Sequence, residues 1–197
     1  IVPSGVTTDV DSTCTERVAT LVADVRRRFQ QLVELYDTTS SLQDRTVGTG
    51  ILRNALAMQF AAGGFVGRAS GRPYDARRQP GYAPYEELEF EIPVLKGGDV
   101  NARIWIRVHE AEQSIRLIEQ ILAKLPDGPI VAERDGSYGD RSSEGMARIE
   151  GFRGDILAWV RINTDGRVER CHLRDPSWFQ WPLMEAAIEG NIVADFP

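Results

Sequence analysis

A regular spacing of apolar residues between positions 104 and 125 is the feature that most limits how this chain folds. Asp99 precedes it as a suitable helix cap, and Pro126 with Gly128 follows it as a stop signal. Because an α-helix has about 3.6 residues per turn, apolar residues at steps of four and three share one face. The pattern therefore predicts a long helix with one buried stripe, formed by Ile104, Val108, Ala111, Ile115, Ile118, Leu122 and Leu125.

A second long helix is predicted over residues 12–37. Apolar side chains recur there with helical spacing from Val18 to Tyr36, and Asp11-Ser12 supplies a capping signal. Two long amphipathic helices imply a helical bundle core.

The segment between the two long helices predicts shorter elements. An alanine-rich apolar stretch at 51–65 predicts a buried helix that ends at Gly63-Gly64. Apolar and acidic residues alternate over 87–92, which predicts a short edge strand ended by Pro93.

The carboxyl-terminal quarter has a different pattern. Stretches at 146–150, 155–162 and 167–173 predict three strands, and Asn163-Thr164-Asp165-Gly166 is a favourable hairpin turn. A further helix is predicted at 183–189. The fold class is therefore α+β: a helical bundle core with a small antiparallel β-sheet towards the carboxyl end.

The predicted organisation has three parts. Residues 1–128 form the helical core with an irregular loop at 67–85, residues 129–145 form a linker, and residues 146–197 form the sheet and a short helix packed on the same domain. The chain begins at Ile1 without a methionine, and we expect it to be a piece of a longer protein.

Composition and charge exclude several functional classes. The net charge of the 197 residues is -6, so nucleic acid is not expected as the main partner, because phosphate binding needs a concentrated positive surface. No apolar run approaches the roughly 18–20 residues of a membrane span. With two cysteines and two histidines, the chain cannot form a four-cysteine zinc site.

Two regions hold the candidate functional residues. A loop as long as 67–85 inside a domain is usually functional or at an interface. Arg153 lies in a tight connection between two predicted strands, where a rigid sheet can project its guanidinium into a cavity, although an ordinary turn arginine fits the same pattern. The loop contains four arginines and three tyrosines among its glycines and prolines.

The other reactive residue types favour structural roles. His109 lies on the predicted long helix among charged residues. Cys171 and His172 are neighbours on a strand, so they point to opposite faces and do not form a dyad. Gly48-Thr49-Gly50 lacks the strand–glycine–helix context of a dinucleotide loop.

Several of these stretches resemble one known family. The run DRTVGTG at 44–50 resembles the DRTVGVG run of the 49-kDa subunit of respiratory NADH–quinone oxidoreductase. The loop sequences RASG at 68–71 and YDAR at 74–77, followed by tyrosines at 82–85, resemble a pattern of the same family. This resemblance implies an interface or structural role for the loop residues Arg68, Ser70, Asp75, Arg77, Tyr82 and Tyr85. Residues 94–129 are similar to its next stretch, and the matches follow the family's order along nearly the whole chain.

Residues around Arg153 resemble the hydrogenase branch of that family. The sequence EGFRGD at 150–155 is similar to EAPRGE of [NiFe]-hydrogenase large subunits, whereas the respiratory subunit has EAPKGE. Gly151-Phe152 replaces the usual Ala-Pro. The short stretch 129–145 and the sequence from Asp175 to Asp195 are similar to the membrane-associated, formate-hydrogenlyase-like (group 4) hydrogenases.

The resemblance implies an oxidoreductase subunit. It implies a nickel–iron centre or a quinone site in the full-length subunit, with no cofactor and no metal ligands in this fragment, and Arg153 near the active site. It further implies an iron–sulfur small subunit as partner, and a place in a peripheral arm on the cytoplasmic face, with membrane contact only through partner subunits. The isolated fragment is expected to be inactive. A degenerate, non-catalytic assembly scaffold is the alternative.

Overall fold

The two predicted long helices are the main supports of the fold. The computed structural model describes residues 5–132 and 142–195. Helix α1 spans Ser12–Thr38, where the Asp11 carboxylate accepts a hydrogen bond from the Cys14 amide at 2.7 Å. Helix α5 spans Val100–Ala123, and Asp99 caps it by accepting from the Ala102 amide at 2.7 Å. Both helices and both caps are confirmed.

Helix α5 is buried on two sides, so the predicted single stripe is only partly right. Val108 and Ile115 of the stripe are buried, but Ile118 and Leu125 are exposed. The most deeply buried side chain of the helix is Ile106, which the stripe did not include. The reason is that several elements pack on this helix: Ile106 clusters with Ala69, Leu117 clusters with Leu88 and Phe90, and α1 also contacts α5.

The predicted helix at 51–65 is wrong, because the chain breaks in its middle. Helix α3 covers Asn54–Gln59 and helix α4 covers Gly64–Ala69, with helix α2 at Ser40–Thr46 ahead of them. Ala61 adopts a left-handed backbone (φ 51°) at the break. Gly64 therefore begins a helix instead of ending one.

The predicted edge strand at 87–92 is also wrong. Leu88 and Phe90 are buried, as alternation requires, but their segment joins no sheet. The Gln120 side chain of α5 takes the place of a neighbouring strand: it donates to the Glu89 carbonyl at 2.8 Å and accepts from the Glu89 amide at 2.9 Å. A helix side chain thus satisfies backbone groups that would otherwise need a ladder.

The three predicted strands are confirmed. Strands β1 (Ser143–Gly151), β2 (Gly154–Ile162) and β3 (Val168–Arg174) form an antiparallel sheet in the order β1-β2-β3. The turn at 163–166 closes the second hairpin, where the Gly166 amide donates to the Asn163 carbonyl at 3.0 Å. The α+β fold class is confirmed.

The remaining boundaries differ from the prediction. Helix α6 spans Ser177–Ile188, six residues earlier than predicted, and contains Pro182. Strand β1 begins inside the predicted linker 129–145, of which residues 133–141 lie outside the described residues. No helix within 5–132 or 142–195 has the length and apolar character needed to cross a bilayer.

Candidate functional site

A buried arginine organises the interior next to the sheet. Arg68, in the last turn of α4, is 2% exposed. Its Nε donates to Glu110 Oε1 of α5 at 2.6 Å, and its Nη1 donates to Glu150 Oε1 of β1 at 2.8 Å. The same Nη1 lies 3.3 Å from Asp75 Oδ2. One guanidinium therefore joins a helix, a strand and the irregular loop.

A second arginine, Arg77 of the loop, joins this network by pairing with Asp75. Arg77 forms a two-pronged pair with Asp75, with Nε to Oδ1 at 2.9 Å and Nη2 to Oδ2 at 2.6 Å. Its guanidinium also lies over the Phe90 ring, 4.9 Å from the centroid, and over the Tyr85 ring at 5.7 Å. Bidentate pairing and stacking together fix an arginine more firmly than a single ion pair does.

The other candidates of the loop make internal contacts as well. The Ser70 hydroxyl donates to the Val66 carbonyl at 3.0 Å. The Tyr82 hydroxyl accepts from the Glu150 amide at 3.0 Å, and its ring meets the Tyr85 ring edge-on. The structure thus brings five of the six loop candidates (Arg68, Asp75, Arg77, Tyr82 and Tyr85) around Glu150, and places Ser70 at the end of α4.

Glu150 is the central acceptor, and it was not among the residues predicted from the sequence. Its Oε1 accepts from Arg68 and its Oε2 accepts from the Ala76 amide at 2.9 Å. Burial raises the pKa of Glu150, and the hydrogen bonds from Ala76 and Arg68 oppose that rise. Its position three residues before Arg153, at the end of a predicted strand, was the available signal.

The turn between β1 and β2 is held against α4 by direct backbone contact. A Cβ at Gly64 would lie 2.4 Å from the Arg153 carbonyl carbon, and a Cβ at Gly63 would lie 2.8 Å from the Gly154 Cα. Only glycine allows so close an approach. The break before α4, which no sequence pattern indicated, places these two glycines against the turn.

Arg153 lies at the rim of an apolar cavity of about 570 Å³. The cavity is enclosed by α4, α6, the start of α5 and the segment 49–52, and Arg103 and Arg153 are the charged residues that line it within the described chain. Arg103 is engaged, since its Nη1 donates to the Gly50 and Gly98 carbonyls at 2.9 and 2.7 Å. Arg153 forms no ion pair within 4 Å among the described residues.

The Arg153 guanidinium acts through space on the carboxylate of Asp175, just before α6. Hydrogen bonding to Ser177 is the main cause that lowers the pKa of Asp175, and the Arg153 guanidinium adds a smaller lowering through space. The guanidinium therefore remains available to a group in the cavity.

The glycine segment at 48–50 is held by side chains of the protein, and its residues Thr49 and Gly50 line this cavity. The Gly48 amide donates to Asp99 at 2.8 Å, and the Gly50 amide donates to Asn191 at 2.8 Å. These amides are consequently not directed at a phosphate.

The described residues do not supply a metal site. Within 5–132 and 142–195, no group of three or more His, Cys, Asp or Glu side chains is arranged to hold a metal ion. Cys14 and Cys171 are free thiols. His109 packs beside the Trp105 ring, with centroids 5.9 Å apart, and His172 is exposed on β3.

Comparison with known proteins gives one consistent family. The family model described as respiratory-chain NADH dehydrogenase, 49 Kd subunit, matches residues 1–144. The carbon monoxide-induced hydrogenase of Rhodospirillum rubrum is 35% identical over 167 residues, covering 85% of this chain and 46% of the hydrogenase. An NADH-quinone oxidoreductase subunit of Roseiflexus sp. (strain RS-1) is 33% identical over 175 residues, covering 85% of this chain and 47% of the relative.

A solved structure agrees with these sequence relatives. A chain of the membrane-bound sulfane sulfur reductase, an archaeal respiratory membrane complex, superposes with a TM-score of 0.88 at 30% identity. The match covers 100% of this chain and 55% of that one. The chain thus spans about half the length of the relatives it matches.

Proposed function

The chain belongs to the family of the 49 kDa subunit of the respiratory-chain NADH dehydrogenase, and we therefore propose that it forms part of the large subunit of a membrane-associated oxidoreductase complex. The relatives are named as quinone oxidoreductase and hydrogenase subunits, so the complex is of the NADH dehydrogenase or the hydrogenase type.

The observation that carries the proposal is the position of Arg153. Arg153 lines an apolar cavity, and the turn that bears it packs on a glycine pair. A cation beside an apolar cavity stabilises negative charge that develops on a bound group. Arg153 is therefore the described residue best placed to act on a substrate or a redox centre.

The described residues do not fit a nickel–iron centre by themselves, since they hold no ligand set for one. We assign them a supporting role: Arg153 supplies charge, and the apolar side chains of α6 exclude water. A nickel–iron centre, a quinone, or neither would then be held by parts of the full-length subunit outside the described residues.

We further propose an iron–sulfur subunit as the partner that exchanges electrons with this subunit. Support comes from two exposed apolar surfaces, which in soluble chains mark interaction sites. Leu21, Leu32 and Leu35 of α1 are each 61% exposed, and Trp178 and Trp181 of α6 are each 60% exposed.

Likeness to a chain of a respiratory membrane complex supports a membrane-associated assembly. Within it we propose a place in the peripheral arm on the cytoplasmic face, attached to the membrane through other subunits.

Metal analysis of the full-length subunit in its native complex tests the type of chemistry. About one nickel per subunit, in addition to the iron of partner clusters, would support hydrogenase chemistry. Iron confined to the partner and no nickel would reject the hydrogenase type and leave a quinone-type site or a scaffold.

Turnover of variants in the same complex tests the role of Arg153. We expect Arg153→Met to lower turnover by about 100-fold, the order found when one charge-stabilising donor is removed. Arg167→Met, next to the exposed 163–166 turn, is the matched control and should keep full turnover. Unchanged turnover in Arg153→Met would contradict the proposed role.

A scaffold without chemistry is the second candidate, and one contact favours it. Phe152, beside Arg153, packs on the Phe65 ring with centroids 4.7 Å apart, and Arg107 lies over it at 5.0 Å. The turn thus has a packing role of its own. A complex that assembles with Arg153→Met, retains its electron transfer and holds no nickel would favour the scaffold.

A further inference from the structure

We infer that Gln180 is a positioning residue that fixes the direction of the Arg153 side chain towards the cavity. The inference rests on the proposed function of Arg153 and assigns it a second residue, on a different element. Gln180 lies in the first turn of α6 and lines the same cavity.

The geometry consists of one amide group and two carbonyls. Gln180 Nε2 donates to the Arg153 carbonyl oxygen at 2.5 Å and to the Gly63 carbonyl oxygen at 3.3 Å. Both partners are acceptors only, so the amide must present its NH2 group to them. One side chain therefore links α6 to the β1–β2 turn and to the start of α4.

The link adds a directional restraint at Arg153 to the strand pairing of Gly151 with Gly154 and the packing of Phe152 on Phe65. The Gly63-Gly64 backbone sets how closely the turn approaches α4, since a Cβ would collide there. Contact of this kind limits the distance but does not prevent rotation of the peptide unit that carries Arg153. A hydrogen bond to the Arg153 carbonyl fixes that peptide unit, and with it the direction in which the side chain leaves the backbone.

Helix α6 also forms the opposite wall of the cavity. Trp181 and Met184 line it from the same helix as Gln180. Gln180 consequently keeps the cation and the apolar wall in one fixed relation.

The test uses Gln180→Met in the full-length subunit within its native complex. Methionine keeps the length of the side chain and removes the donor. We expect amide hydrogen exchange in the 151–154 turn to accelerate about fivefold, the order expected for one net hydrogen bond. Gln43→Met is the matched control: Gln43 donates to the Tyr36 carbonyl at 2.9 Å, away from the turn, so exchange at 151–154 should stay unchanged.

A double-variant cycle separates positioning from a structural role. If Gln180 acts through Arg153, Gln180→Met lowers turnover in the wild-type background and has no further effect once Arg153→Met is present. An equal loss in both backgrounds, or unchanged exchange in the turn, would overturn the inference. Unchanged turnover in Arg153→Met alone would instead remove the proposed function, and the exchange rates would then show whether Gln180 still holds the turn.

Discussion

Arg68, near the end of α4, and Arg153, in the β1–β2 turn, are the same residue type, yet their surroundings are opposite. Arg68 is buried and bonded to Glu110, Glu150 and Asp75. Arg153 is exposed at a cavity rim and has no ion-pair partner among the described residues. Every guanidinium nitrogen of Arg68 has an acceptor in the protein, so Arg68 stabilises structure. The Arg153 guanidinium, with no such acceptor among the described residues, can act on a ligand in the cavity.

The contrast between the two arginines explains why the long loop and the turn belong together. Glu150 is bonded to Arg68 and lies on the strand that leads into the Arg153 turn. The charge network around Arg68 therefore anchors β1 directly before the turn, and the glycine contact with α4 sets the position of the turn itself.

Replacement of the buried Arg68 should lower the free energy of unfolding the most. Arg68→Met leaves three carboxylates without their common cation, and removing one partner of a buried pair costs about 3–5 kcal/mol. Denaturant unfolding of the full-length subunit should show that loss, while Arg167→Met should stay within about 0.5 kcal/mol of wild type. An Arg68→Met loss below about 1 kcal/mol would mean that the network is not the anchor of the hairpin.

Disruption of the contact between Gly64 and the β1–β2 turn should cause the second largest loss of stability. Gly64→Ala adds a Cβ at 2.4 Å from the Arg153 carbonyl carbon and forces alanine into φ +57°. Overpacking alone costs about 1–3 kcal/mol, so the unfolding free energy should fall by at least that amount. Gly145→Ala is the control, because a Cβ there meets nothing within 4 Å. Equal stability of the two variants would show that the turn does not depend on this contact.

A weaker effect is expected in the pH dependence of stability. Since burial raises the pKa of Glu150 in the folded state above its ordinary 4.5, the folded state binds the proton more tightly than the unfolded one. The contribution of Glu150 is thus most favourable below the ordinary pKa and declines as the pH rises through the raised pKa. Glu150→Gln should lack this decline, which thermal unfolding between about pH 4 and pH 8 would detect. Parallel pH profiles would contradict the raised pKa.

Replacement of the exposed Arg153 should have the smallest effect on the free energy of unfolding. Arg153→Met removes no ion pair within the described residues, so the unfolding free energy should change by about 0.5 kcal/mol or less. Paired with the expected loss of turnover, this result would complete the contrast with Arg68. A fall of several kcal/mol in the unfolding free energy would instead mean that Arg153 stabilises the fold.

Local patterns predicted the elements that depend on local forces. The caps of α1 and α5 and the turn at 163–166 follow from short-range hydrogen bonds, which neighbouring residues determine. The segment 51–65 was predicted as one helix because its composition is apolar and alanine-rich. Its break follows from contact with a turn about 90 residues further along the chain, which no local pattern contains.

The candidate site likewise has features that local patterns predicted and features that only tertiary contacts determine. The residue pattern singled out the turn-rich loop at 67–85 and the tight connection that holds Arg153. The family resemblance selected Arg68, Asp75 and Arg77 within the loop. That Glu150 is a common acceptor and that Gln180 holds the turn depends on the packed fold, because these contacts join residues from separate elements. Packing also decides that Arg68 is paired with three carboxylates, whereas Arg153 has no ion pair among the described residues. Burial and the number of carboxylates within reach follow from how the elements come together.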